Sequence, residues 1–110
     1  MSKVVLFLVI ITLFNVSGLA AVYKGQMVFV KKCANCHRDK EVFIKSRTAV
    51  EWESILKNKG EPLLKLHLND KKARKSWKYF NSKRYTRKVK HLRDFLVEYA
   101  KDSGKVPACN

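Results

Sequence analysis

The sequence predicts an all-α fold of three to four helices, and three observations support this prediction. The segment "TAVEWESILKNKG" carries both a helix start and a helix stop. Near the other end, "HLRDFLVEYAKDSG" spaces its apolar side chains along one helical face. The chain also lacks a convincing series of strands separated by turn residues. Its 110 residues suffice for one small domain.

The first twenty residues, "MSKVVLFLVIITLFNVSGLA", have the layout of a secretory signal. An apolar run follows Lys3, and Gly18 and Ala20 supply the small residues that precede a cut. The run is about half of the ~20 residues that a membrane-spanning helix needs, and an uncleaved anchor is the alternative. We therefore expect residues 1–20 to be a signal peptide, residues 21–110 to form the domain, and the bacterial periplasm to be the destination.

Three segments in the first part of this domain carry helix signals. The first, "YKGQMVFVKKCANCH", leads into a pair of cysteines, although "MVFV" alone would also suit a short strand. In the second, Thr48 can cap the helix with Glu51 as its capping-box partner, and Gly60 supplies the stop. The third, "EPLLKLHLN", begins with Pro62 at a position typical of a first helical turn.

The last third of the chain combines a basic segment with the clearest amphipathic helix. Residues 70–90 are rich in lysine and arginine, interrupted by aromatic side chains. Beyond them, Leu92, Phe95, Leu96 and Tyr99 fall at the spacing of one helical face, and Gly104 ends the helix. We found no internal repeat, linker or second domain.

Residues 29–38, "FVKKCANCHR", point most directly to chemistry. Cysteines with two residues between them lie about one helical turn apart, so each thiol can form a thioether with one vinyl group of a haem. The residue after the second cysteine is then held beneath the iron, where a histidine nitrogen becomes an axial ligand. The pattern predicts one covalent haem c, attached at Cys33 and Cys36 and ligated by His37.

Two other chemistries begin with the same pair of cysteines. A thioredoxin-like dithiol needs parallel strands separated by helices, and the residues after His37 do not supply them. A zinc site needs four ligands, which an unusual fold would have to assemble from Cys33, Cys36 and two further side chains. Both are weaker explanations than haem attachment.

On these residues the sequence resembles the small monohaem class I cytochromes c. "GQMVFVKKCANCH" is similar to the N-terminal helix of that family, and "LRDFLVEYAKD" is similar to its C-terminal helix. The resemblance implies a small cytochrome c-like fold around one haem. It further implies that Gly25 and Phe29 pack against the C-terminal helix, with Phe95 or Tyr99 as the partner aromatic. Residues 38–90 resemble no family member in particular.

The sixth iron ligand is where the sequence departs from this family. Class I members usually supply a methionine before the last helix, and this chain has no methionine after Met27, which precedes the haem motif. His67 is the first candidate, because its leucine-rich segment can fold back across the opposite haem face. The alternatives are His91, Asn81 or Lys83, or an open iron.

The chain is strongly basic, with 24 lysines and arginines against 9 acidic residues and a net charge of +15. Such an excess predicts attraction to acidic surfaces that weakens as salt rises. Export and haem make nucleic acid a poor candidate, so we expect an acidic redox partner protein or an anionic membrane surface. The third cysteine, Cys109, is expected to be an inert thiol or the site of a dimer, and only rarely a ligand.

These observations predict a periplasmic c-type cytochrome that carries electrons through one covalently attached haem. The alternative is a haem-based gas sensor or ligand-binding protein with an open or labile sixth coordination site. Two firm axial ligands favour the carrier, and a displaceable ligand favours the sensor. No small-molecule substrate is implied, and we do not expect an enzyme.

Overall fold

The computed structural model describes residues 16–107 and Cys109, and the elements of this part are all helical. No strand occurs within it, which confirms the predicted all-α class. Most of the predicted signal peptide lies outside the described residues. None of the described helices is long and apolar enough to cross a membrane. The elements are α1 (Val16–Val28), continued by a π-helical turn (Phe29–Cys33), α2 (Lys40–Ile44), α3 (Ala49–Leu68), a 3-10 helix (Lys71–Ser76), α4 (Trp77–Phe80) and α5 (Lys83–Glu98).

Helices α1 and α5 form the closest interface of the fold. A Cβ atom placed on Gly25 would lie 1.9 Å from the carbonyl oxygen of His91 and 2.7 Å from Phe95 Cβ, so only glycine lets the two helices approach this far. One turn later, the Phe29 and Phe95 rings lie 5.6 Å apart between centroids, and both side chains are fully buried. Phe95 therefore provides the aromatic contact to Phe29, and Tyr99 packs on Phe95. The "MVFV" stretch is helical, and its alternative interpretation as a strand is wrong.

Helix α3 begins as the sequence predicts. The Thr48 hydroxyl accepts a hydrogen bond from the Glu51 N–H, and the Glu51 carboxylate accepts one from the Thr48 N–H. This reciprocal capping box satisfies two backbone donors that the first turn of a helix leaves unpaired. The pKa of Glu51 is accordingly held below its ordinary value, chiefly by the hydrogen bond from the Thr48 backbone.

A sharp kink divides α3 into two helical pieces, 49–56 and 61–68. Asn58, Lys59 and Gly60 all adopt positive φ, and Gly60 has φ 74°. The helix stop predicted at Gly60 is therefore present, and Pro62 lies in the first turn of the second piece, where its missing N–H costs nothing. The fully buried Tyr85 of α5 donates its hydroxyl to the Gly60 carbonyl at 2.6 Å, which ties the kink to the last helix.

The segment between α3 and α5 crosses back over the end of α3. Asp70 caps the 3-10 helix through the Lys72 N–H, and the Trp77 indole N–H donates to the His67 carbonyl at 2.7 Å. Aromatic side chains of this segment pack inward, and Phe80 is buried. The basic side chains of the segment are exposed, whereas its aromatic side chains are at least partly buried.

Candidate functional site

The cysteine–histidine motif lies at the carboxyl end of the first helix. The π-helical turn closes with a hydrogen bond from the Ala34 N–H to the Phe29 carbonyl at 3.0 Å. The N–H groups of Cys36 and His37 then both donate to the Cys33 carbonyl, at 3.2 and 2.9 Å. This tight turn holds the two cysteines and the histidine within one loop of chain.

The same loop forms one wall of a cavity of about 370 Å³. Its volume lies within the range of about 300–1,000 Å³ that is common for cofactor sites. Cys33, Cys36 and His37 line one side, and His67 lines another. The remaining walls are largely apolar and include Phe29, Phe43, Trp52, Leu63, Phe80 and Leu96.

The structure brings His37 and His67 together across this cavity. Their ring centroids lie 6.3 Å apart, with an angle of 83° between the ring planes. Two imidazoles bound on opposite sides of one metal ion, each through a metal–nitrogen bond of about 2 Å, have centroids about 6 Å apart. The separation between the two histidines therefore suits one iron between them. Each ring is also stacked face to face on a phenylalanine, His37 on Phe43 at 3.9 Å and His67 on Phe80 at 4.2 Å between centroids.

A backbone hydrogen bond fixes the orientation of the His67 ring. Its Nδ1–H donates to the Leu63 carbonyl one helical turn earlier, at 2.8 Å. Because a carbonyl oxygen can only accept, Nδ1 carries the proton of this bond, and in the neutral ring Nε2 then has the lone pair. Metal-binding histidines are commonly oriented in this way, with the other ring nitrogen donating to a carbonyl or carboxylate.

His37 is kept in the neutral form that metal ligation needs. Burial lowers the pKa of its imidazole below the ordinary value, and the nearby His67 lowers it further. A cationic His37 would stand opposite a second imidazole in a largely apolar cavity, which is unfavourable. The lowered pKa of His37 and the hydrogen bond of the His67 ring are both compatible with metal ligation.

The two cysteines of the motif differ in environment, and neither is placed like a redox-active thiol. Both are free thiols; Cys33 is partly buried and Cys36 is exposed. Burial raises the pKa of Cys33 to about 12. Reactive dithiols lie at helix N-termini, where the dipole stabilises a thiolate. This pair follows the carboxyl end of a helix, where the dipole disfavours a thiolate, so the geometry does not favour the thioredoxin-like alternative.

The other candidate ligands lie away from the rings of His37 and His67. His91 and Met27 line a different cleft, between α1 and α5. Asn81 caps the end of α4 through its backbone, and Lys83 begins α5. Neither Asn81 nor Lys83 lines the cavity of His37 and His67. Of the proposed sixth ligands, the structure therefore brings only His67 opposite His37.

Within the described part of the chain, no group of three or more His, Cys, Asp or Glu side chains converges as a directly coordinated metal ion would require. The zinc alternative therefore gains no support. An iron held by a porphyrin is different, because the macrocycle supplies four nitrogens and the protein has to supply only the axial ligands.

The segment that carries a methionine in class I cytochromes c has a different role in this chain. It contributes Phe80, which stacks on His67, and Trp77, which donates to the His67 carbonyl. The segment thus packs on His67 and on the end of α3. The Trp52 indole N–H donates to the Ile44 carbonyl, so both indole N–H groups have backbone partners.

Cys109 lies apart from this site. It is partly buried against the core, and its carbonyl accepts a hydrogen bond from Lys40 Nζ at 3.1 Å. It does not line the cavity of the two histidines. Its expected role as an inert or dimer-forming thiol stays a prediction.

Sequence reasoning missed several residues that build the site. Leu63 supplies the carbonyl that orients His67. Because it lies four residues earlier on a predicted helix, this hydrogen bond could have been predicted from the sequence. Phe43 carried no such signal, because its contact with His37 depends on how the loop between α1 and α2 folds back. The motif residues themselves, Cys33, Cys36 and His37, do lie together at one cavity.

The residues fit a covalently attached haem: a cavity with apolar walls contains two free thiols and two imidazoles at a suitable separation. No protein-family model, curated protein or solved structure matches this chain. The functional assignment therefore depends on the site itself.

Proposed function

We propose that this protein is a periplasmic c-type cytochrome that carries electrons through one haem attached at Cys33 and Cys36. His37 and His67 would be its two axial ligands. The observation that supports this most directly is the 6.3 Å separation of the two imidazole rings. Both rings line the same cavity as Cys33 and Cys36. Together with the export signal expected at residues 1–20, it fits a cofactor attached outside the cytoplasm.

The chain's own residues would bind and orient the cofactor. Cys33 and Cys36 would hold it covalently, and the hydrogen bond from His67 to the Leu63 carbonyl would leave the other imidazole nitrogen available to the metal. Phe29, Phe43 and Trp52 form apolar walls that limit water access. A haem bound there supplies a reversible one-electron Fe(III)/Fe(II) couple.

Two histidine ligands favour electron transfer over gas binding. An iron with both axial positions filled by nitrogen has no open position for a diatomic gas unless one imidazole leaves. His67 is held by its own hydrogen bond, by stacking on Phe80 and by the Trp77 bond to its carbonyl. These contacts make ligand loss costly, so the sensor alternative is the weaker of the two.

Replacing methionine by histidine as an axial ligand also lowers the reduction potential.

Lysines at the mouth of the cavity suit an acidic redox partner. Lys32 and Lys72 line its rim, and neither forms an ion pair within the described residues. A partner with a complementary acidic patch would be steered to this edge, which shortens the distance for electron transfer. The association rate is expected to fall as ionic strength rises.

The test is whether haem is attached covalently and through which thiols. The full chain is produced in a host with the c-type maturation machinery, and haem is detected after denaturing electrophoresis. We expect haem to stay with the polypeptide and the Cys33→Ser/Cys36→Ser variant to lose it, while Cys109→Ser, the matched control, keeps it. Loss of haem from the wild type on denaturation, or equal loss in Cys109→Ser, would contradict the proposal.

A further inference from the structure

A second cavity, of about 340 Å³, lies between α1 and α5. We name it the basic cleft. It shares only Lys32 with the cavity of the two histidines. Five cationic side chains line it and no acidic side chain does: Lys24, Lys31, Lys32, Arg84 and Lys88. The basic cleft therefore concentrates positive charge on two adjacent helices.

This charge has no counter-ion within the described residues. The ion pairs of that part of the chain join Lys65 to Glu61, Arg93 to Asp94 and Lys105 to Glu98, all outside the basic cleft. The pKa of His91 is lowered first by burial and then by the repulsion of Lys24, Lys90 and Lys88, while Asp94 partly opposes this shift. Like charges held this close without a counter-ion favour the binding of an anion with more than one negative oxygen.

Two buried polar atoms at the basic cleft also lack partners within the described residues. They are the Tyr79 hydroxyl and His91 Nδ1, and both residues line the cleft. Burial raises the pKa of Tyr79 to about 12, so its hydroxyl stays protonated and able to donate. Buried polar groups are normally paired, so these two atoms mark hydrogen bonds that the described residues leave unmade beside the cleft.

An exposed apolar stripe on α1 leads to the basic cleft. Leu19, Tyr23 and Met27 follow one another at four-residue spacing on a helical face. Their exposed fractions are 76%, 60% and 36%. Tyr23 and Met27 also line the cleft. Leu19 belongs to the predicted signal peptide, whereas Tyr23 and Met27 belong to the predicted mature chain.

We propose that this face docks on an anionic membrane surface, with the phosphate group of a lipid in the basic cleft and with Tyr23 and Met27 in the headgroup layer. Cations beside exposed aromatic and apolar side chains are the combination that peripheral membrane contacts use. A free phosphate would account for the cations but not for the apolar stripe. An acidic protein would account for the charge, but the exposed stripe favours lipid.

The proposal is independent of the haem assignment, since its readout is binding to vesicles. Purified protein is sedimented with vesicles of phosphatidylcholine alone and with vesicles containing phosphatidylglycerol. We expect binding only to the second. Lys24→Gln/Lys88→Gln should weaken binding to these vesicles about 25-fold, at about fivefold for each cation removed. Tyr23→Ser/Met27→Ser should weaken it about tenfold without changing the net charge.

A charge-matched control separates the basic cleft from general attraction. Lys57→Gln/Lys101→Gln removes the same charge from exposed positions that do not line the cleft. We expect it to change the affinity by less than about twofold, with all variants keeping the helical circular dichroism of the wild type. Equal losses in the two lysine pairs would overturn the assignment of the site.

Two further outcomes would overturn the lipid assignment. In the first, inorganic pyrophosphate at low micromolar concentration binds to the protein and displaces it fully from the vesicles. In the same experiment, the Tyr23→Ser/Met27→Ser variant binds the vesicles as tightly as the wild type does. The second is binding to an acidic peptide such as polyglutamate without binding to phosphatidylglycerol vesicles.

Discussion

The rings of His37 and His67 lie 6.3 Å apart between centroids with their planes nearly perpendicular, although His37 lies in the loop after the first helix and His67 in α3. His37 is positioned by the turn that ends the first helix, and His67 by the last turn of α3. Each ring stacks on a phenylalanine, and His67 is further oriented by the Leu63 carbonyl. The fold thus brings two imidazoles from separate parts of the chain to one cavity, beside the two thiols of the motif.

The glycine at the α1–α5 crossing gives a first prediction. Gly25→Ala should destabilise the protein by about 3 kcal/mol, because the new Cβ would lie 1.9 Å from the His91 carbonyl oxygen. The gain in helix propensity is only about 1 kcal/mol and does not offset the clash. Gln26→Ala, next on the same helix, should have little effect. Urea unfolding followed by circular dichroism measures both, and equal midpoints for the two variants would contradict the interface.

The hydrogen bond across the α3 kink gives a second prediction. Tyr85→Phe removes the only hydroxyl that the Gly60 carbonyl accepts from within the described residues. We expect a loss of about 1–2 kcal/mol, because a buried carbonyl is left unpaired. Tyr99→Phe is the control, since no hydrogen bond of the Tyr99 hydroxyl occurs in the same part of the chain. A Tyr85→Phe variant as stable as the Tyr99→Phe variant in thermal unfolding would show that the kink does not need this bond.

The capping box of α3 gives a prediction about pH. The pKa of Glu51 is lower in the folded state than its ordinary value, through the hydrogen bond from Thr48. Its contribution to stability is therefore present above the ordinary pKa and is lost as pH falls through the lowered value. Glu51→Gln should flatten the loss of stability between about pH 5 and pH 3. The midpoint of urea unfolding, measured across that pH range, tests this prediction. An unchanged slope of stability against pH in the Glu51→Gln variant would contradict it. Glu53→Gln, also exposed on α3, is the control.

The number of reactive thiols gives a fourth prediction. In the protein with attached haem, a thiol reagent under denaturing conditions should label one cysteine, Cys109, because Cys33 and Cys36 are thioethers. The protein made without haem should label at three positions. Under native conditions its exposed Cys36 should react first, since Cys33 is shielded and burial raises its pKa. Mass spectrometry counts the labels, and three labels on the haem-containing form would rule out covalent attachment.

Local patterns predicted the parts of this fold that depend on neighbouring residues. The Thr48–Glu51 capping box, the break at Gly60 and the amphipathic face around Phe95 all depend on side chains within one or two turns. The strand alternative for "MVFV" was wrong, because burial of Phe29 against Phe95 across the α1–α5 interface decides that segment, and tertiary packing is not visible in a four-residue window.

The site was predictable to a smaller extent. Their spacing alone singled out Cys33, Cys36 and His37, and all three line one cavity. His67 was one of several candidates, because choosing it over His91 depends on the path of residues 38–90, where the α3 kink and the aromatic segment around Phe80 set its direction. Such long-range packing carries no periodic signal in the sequence.

The most direct test of the central claim is the optical spectrum of the purified, haem-containing protein, oxidised and reduced, before and after carbon monoxide is added. We predict low-spin bands that carbon monoxide leaves unchanged in the wild type and in the His91→Ala control. His67→Ala should give high-spin bands and bind the gas readily. Ready binding by the wild type, or a His67→Ala spectrum identical to the wild type, would contradict ligation by the two histidines.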